Sequence, residues 1–249
     1  MTNVLRASRL VPALFRFVAE DVVRSRAVYF AGVLGGYSTF ELLAAVAGWG
    51  GSGDGFGSRF ILVSVIVAAP LCRPWLSEDV HFGYAALWLQ KPVAPLDYYL
   101  ARIVAVAGWS AVATIAIGLA ALPASTGRLS LIDVAGAVVA LGWIPTTLAV
   151  LAFLGSALGA RNGGLFAYGA LFAGLALPGF ADAIGRPAYR VLEVLLPPAY
   201  SGLQANAAWR AGDVLTAAAD LRPLLVYILV CSAVALALVV STPKRLARA

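Results

Sequence analysis

Six stretches of the sequence hold no more than two charged residues apiece, and each is close to the roughly 20 residues a helix needs to cross a bilayer. They run from about Ala27 to Trp49, Ser58 to Trp75, Tyr98 to Leu122, Leu131 to Leu158, Leu165 to Phe180 and Pro223 to Val240, the last two on the short side. In lipid, no water satisfies backbone N–H and C=O groups, so each run must close its own hydrogen bonds as a helix. The composition agrees: 61% of residues are hydrophobic and 12% charged, where a soluble domain carries about a quarter charged residues. The mean hydropathy is +0.89. The expectation is an all-α integral membrane protein of six transmembrane helices.

The segments between the runs divide the chain. Over residues 1–26, Arg6, Arg9, Ala13, Arg16, Glu20 and Arg24 recur at steps of three or four, one face of a helix. Leu10, Leu14 and Phe17 form the opposite face, so this segment reads as an amphipathic helix lying in the headgroup layer, broken or restarted at Pro12. It lacks the continuous apolar core of a removable signal sequence. Residues 27–249 form the six-span domain. Its connections include a glycine-rich turn at 50–55, a polar segment at about 77–91, a tight turn at Arg161-Asn162-Gly163-Gly164, and a long, partly apolar connection at about 181–221.

The basic residues set the orientation. With the N-terminus inside, Arg6, Arg9, Arg16, Arg24, Arg26, Arg73, Lys91, Arg102, Arg161, Lys244, Arg245 and Arg248 fall on the inner side. Arg59, Arg128, Arg186, Arg190, Arg210 and Arg222 fall on the outer side. That asymmetry predicts both termini in the cytoplasm. Nucleic acid is not the expected partner of these charges, because they are dispersed through short connections and not gathered on one face. Cys72 and Cys231 lie far apart in apolar runs and make neither a disulfide framework nor a metal motif. The two halves of the chain differ in where their long connections fall, which argues against an inverted repeat.

The segment Ser77–Arg102 reads SEDVHFGYAALWLQKPVAPLDYYLAR. Ser77 is a good N-cap, Glu78 and Asp79 suit the positive end of the helix dipole, and Pro92 stops the helix. A short capped helix between the second and third spans resembles the coupling helix of the type-two ABC exporter permeases. In that family an acidic residue, a glycine, leucines, a Pro-Val and a basic residue follow in order, matched here by Asp79, Gly83, Leu87, Pro92-Val93 and Arg102. The resemblance extends more loosely to the interfacial N-terminal helix, the six spans and the long outer connection. There the family forms short helices dipping into the outer leaflet, a part that Tyr189 to Leu196 is placed to play. The departure lies in the aromatic residues Phe82, Tyr84 and Trp88 around the glycine, where the family has more charge.

What the resemblance implies is the membrane permease subunit of an ATP-driven exporter in the cell membrane, in bacteria the cytoplasmic membrane. ATP and Mg would be bound by a partner ABC ATPase, present in two copies, and a second permease subunit, identical or related, would complete the unit. No cofactor is expected on this chain, which has no Gly-rich Lys-Ser/Thr phosphate loop. Ser77, Glu78, Asp79, His81, Phe82, Gly83 and Leu87 would contact the ATPase. The bland account of Glu78 and Asp79 is a solvated helix start, and the two accounts are compatible. His81, the one histidine, has no partners at ligand spacing and reads as part of that helix surface.

Glu41 is an acid well inside an apolar run, with Tyr37 one turn before it on the same face. Intramembrane carboxylates cost roughly 3 kcal/mol on insertion scales, so they tend to face a cavity or a partner. Either Tyr37 and Glu41 border a translocation path or subunit interface, or Glu41 is protonated and bonded to a neighbouring helix. Gly155 and Gly159 fit the small-xxx-small packing pattern, and Trp49, Trp75, Trp109, Trp143 and Trp209 mostly suit an interfacial belt. An intramembrane enzyme needs a cluster of nucleophiles, bases or ligands, which this sequence lacks. A non-transporting assembly or sensor protein with the same layout is the alternative to a transporter.

Overall fold

Proline lacks a backbone N–H and fixes φ, so it fits the first turn of a helix. Among the described residues, the first unbroken helical run starts on one: α1 runs Pro95–Thr126. The computed structural model describes residues 95–126, 131–160 and 162–241, together with 12, 16, 20, 24, 28–29, 31–33, 35–37, 39–40, 43, 46–47 and 66. After α1 come α2 (Leu131–Ala157), α3 (Gly163–Ala176) continued by a 3-10 turn (Leu177–Phe180), α4 (Arg186–Leu195), α5 (Ala199–Arg210) and α6 (Val214–Ser241). Of the described residues 88% are helical and none is in a strand. Residues 12, 16, 20 and 24, and those described from 28 to 46, are helical as well.

Two described stretches are long and apolar enough to cross a membrane, Gly163–Phe180 with mean hydropathy 1.4 and Val214–Val239 with 2.2. At 1.5 Å per residue, α1 and α2, with 32 and 27 residues, extend roughly 48 and 40 Å.

α2 is the central helix. From Trp143 to Phe153 it is covered almost all round, which is why its sequence there is apolar on every face. Ala149, Val150 and Phe153 pack with Tyr98, Tyr99, Ile103 and Val106 of α1 and with Cys231, Ala235 and Val239 of α6. Ile144, Leu148, Leu151 and Ala152 face Ala167 and Leu171 of α3, Ala199 of α5 and Leu224 of α6. The start of α1 thus lies beside the end of α2 and the end of α6, while α3 runs back along α2. The helices alternate in direction, and α4 and α5 gather at the end where α2 and α6 begin.

Three hydroxyl groups inside α2 are satisfied within the helix. Pro145 removes one backbone donor in mid-helix. Just beyond it, Thr146 and Thr147 donate their hydroxyls to the Gly142 and Trp143 carbonyls at 2.7 Å, and Ser156 donates to Ala152 O at 2.9 Å.

Three sequence expectations are revised. Gly159 is not a packing glycine: at φ 90° it ends α2, and the next N–H, of Ala160, reaches back to Gly155 O at 2.9 Å. Gly155 does pack, against the Phe166 ring. Trp143 is a core residue, 7% exposed, because α5 folds over it and Gly202 brings its backbone against the indole. The last helix begins at Val214, ahead of the expected Pro223, and carries Pro223 in its interior. Asp213 caps it, accepting from Thr216 N at 3.0 Å, and this start shortens the long connection.

Candidate functional site

Of the residues read from the sequence as ATPase contacts, Ser77, Glu78, Asp79, His81, Phe82, Gly83 and Leu87 all lie outside the described residues, as does Glu41. Tyr37 is described; it is half-buried on a helical stretch. Nearby, Tyr29 donates its hydroxyl to the Ile66 carbonyl at 2.6 Å and so joins the first apolar run to the second.

The basic residue that closes the Ser77–Arg102 pattern is described in full. Arg102 sits on the third turn of α1, half-buried, about 10 Å along the helix from Pro95. Its Nη1 donates to the Tyr98 hydroxyl at 3.1 Å, and its guanidinium carbon lies 5.8 Å from the centroid of the Tyr98 ring. Tyr98 meets Tyr99 edge-on at 5.0 Å between centroids, and Tyr99 meets Phe153 of α2 at 5.9 Å. Tyr98, Tyr99 and Phe153 are 6%, 5% and 0% exposed. The arrangement binds a cation to an aromatic stack in the region where α1, α2 and α6 meet. A guanidinium over a ring contributes about 0.5–2 kcal/mol, more as it is desolvated.

At the opposite end, α4 carries Arg186, Arg190 and Glu193 on one stripe and apolar residues around the rest. None of its residues is buried, and Val191, Val194 and Leu195 are 57%, 77% and 65% exposed. It is held at its C-terminal side, where Tyr227 of α6 donates to Leu195 O at 2.9 Å and the Pro197 carbonyl lies against Gly174 of α3.

Three groups outside the apolar stretches have displaced pKa values. Hydrogen bonds from the Thr216 hydroxyl (2.6 Å) and N–H hold the Asp213 carboxyl below its ordinary value. In the N-terminal segment the Arg16 guanidinium, 2.8 Å from Glu20, lowers that carboxyl and is itself raised. Among the described residues no three His, Cys, Asp or Glu side chains gather as metal ligands would.

The aromatic stack on Arg102 was not read from the sequence. Tyr98 precedes Arg102 by four residues, which puts them on neighbouring turns of one helix face, so half of it was legible from spacing. The partner Phe153 comes from a different helix and left no local signal.

No protein-family model, curated protein or solved structure matches the chain.

Proposed function

We propose that the chain is the membrane-spanning permease subunit of an ATP-driven exporter of the type-two ABC kind. In this reading α1, α2, α3 with its 3-10 turn, and α6 are spans three to six, and the runs at 27–49 and 58–75 are spans one and two. Both termini are cytoplasmic, and energy comes from a separate ATPase chain. The substrate belongs to the lipids, amphiphilic drugs, peptides or glycans.

The observation that carries the reading is the segment Ser77–Arg102. Its sequence is too polar at 77–91 to span, offers Ser77 as an N-cap and Pro92 as a stop, and leads within a few residues into α1. A helix so placed offers a charged, cytoplasmic handle joined to the bundle. Further support comes from the short helices α4 and α5 between the last two apolar stretches, and from the antiparallel order of the long helices.

Reversal of the leading charges in Glu78→Lys/Asp79→Lys, and added bulk in Gly83→Leu, are expected to reduce co-purification of a co-expressed ATPase while the chain still inserts. The neutral pair Glu78→Gln/Asp79→Asn is expected to reduce it less, and separates lost docking from the fraying that opposes the helix dipole by roughly 0.3–1 kcal/mol per charge. Full retention of the ATPase by all three variants would contradict the assignment of this helix.

A further inference from the structure

We infer that α4 is a docking site for an anionic phospholipid, with Arg186 and Arg190 on its phosphate and Val191, Val194 and Leu195 along its acyl chains. The inference goes beyond the permease reading and rests only on its membrane-spanning part.

The joint between α4 and α5 is anchored to three other helices. Tyr227 of α6 donates to Leu195 O at 2.9 Å, the Pro197 carbonyl lies against Gly174 of α3, and Gly202 of α5 meets the Trp143 ring of α2. These anchors are deep. Trp143 lies about 18 Å along α2 from Leu131, and Gly174 lies about 10 Å before the end of the 3-10 turn at Phe180. The other end of α4 stays near Phe180, because the Ala183 and Ile184 N–H groups both donate to the Phe180 carbonyl, at 3.1 and 3.0 Å. So α4 slants back along α3. Arg186 is level with the end of the apolar stretch Gly163–Phe180, and Leu195 lies deeper.

The residues down that slope follow the order of a phospholipid, charge first and apolar groups below. Tyr189 and Leu192 are half-buried and face the bundle, while Val191, Val194 and Leu195 are exposed and turned away from it. Acyl chains suit that exposed face, as they do for helices lying in a membrane interface. Arg186 and Arg190 are one turn apart beside it, both exposed, and Glu193 continues their stripe. Two cations against one anion favour a headgroup of net negative charge over a zwitterionic one. Guanidinium groups suit phosphate in particular, since they can present paired N–H donors to its oxygens.

The test uses the full chain in phosphatidylcholine liposomes, with Cys72→Ala and Cys231→Ala and a bimane label at Val194→Cys. Part of the lipid is replaced, at equal mole fraction, by brominated phosphatidylglycerol or brominated phosphatidylcholine, which quench on contact. Quenching by the anionic lipid is expected to exceed that by the zwitterionic one at least about twofold, and the preference should fall with added salt. Arg186→Gln/Arg190→Gln should bring the ratio to unity, and Glu193→Gln should raise it. A label at Leu229→Cys, on the exposed face of α6, should be quenched equally by the two lipids.

Equal quenching at Val194→Cys, a preference that survives the glutamine pair, or the same preference at Leu229→Cys would overturn the inference. So would quenching at Leu229→Cys with none at Val194→Cys, since α4 would then stand clear of lipid. Should the glutamine pair fail to insert, Glu193→Gln decides, and an unchanged ratio there overturns it. Absence of quenching at both sites would strike the membrane-spanning reading itself, and this inference with it.

Discussion

A methyl group added at Gly163 has nowhere to go. It would overlap the Ala152 carbonyl and sit 2.5 Å from the Ser156 hydroxyl, so α3 approaches α2 there only through glycine. Gly169, two turns on, faces open space. Gly163→Ala is therefore expected to destabilise the bundle by about 1–3 kcal/mol, the usual cost of overpacking. Gly169→Ala should be neutral or stabilising by up to about 1 kcal/mol from helix propensity. Thermal unfolding in detergent checks both, and equal midpoints for the two variants would remove the close approach from the account.

Asp213 gives a second test at this scale. Its carboxyl is lowered in the folded chain, so the stability it adds is present above its unfolded pKa and is lost as pH falls through the lower, folded one. Asp213→Ala should lower the unfolding midpoint at pH 7, and that difference should shrink towards zero under acid. A difference independent of pH would mean that the carboxylate is not what caps α6. The spacing Asp-x-x-Thr made this cap readable from the sequence, yet the apolar run beginning at Pro223 outweighed it.

Elements were more legible where one force dominates. α2 was placed within a residue at its end because uninterrupted apolarity marks both a span and a central helix. α6 was placed nine residues late because Asp220 and Arg222 interrupt the apolar pattern, while the backbone continues through them from the Asp213 cap. Trp143 reads from the sequence as one of the interfacial tryptophans, because contact with Gly202 arises from a fold-back that no local pattern encodes.

α4 (Arg186–Leu195) covers most of the stretch Tyr189 to Leu196 that the sequence marks as a short helix, and its surface can be probed. Its exposed Val191, Val194 and Leu195 need an apolar surround, and the outer leaflet supplies one if the basic asymmetry sets the topology. A bimane label at Val194→Cys in liposomes should emit blue-shifted and be quenched by nitroxide lipids confined to the outer leaflet of right-side-out vesicles. Emission typical of water, or quenching from the inner leaflet only, would contradict the placement of α4.

At the scale of the molecule, the described helices form two apolar clusters that share α2, with α1 and α6 on one and α3, α5 and the start of α6 on the other. The end where α1 starts holds the Arg102 stack, the opposite end holds α4 and α5, and the proposed ATPase handle leads into the first. In the proposed topology, a cytoplasmic handle and an outer, lipid-facing helix lie at opposite ends, which suits a protein that uses events on one side to act on the other. The most direct check is the composition of the complex that this chain forms when co-expressed with its candidate ATPase and extracted in mild detergent. Native mass measurement is expected to give two permease subunits with two ATPase subunits, and the complex should hydrolyse ATP. A chain recovered alone, with no ATPase bound and no hydrolysis in the preparation, would contradict the account.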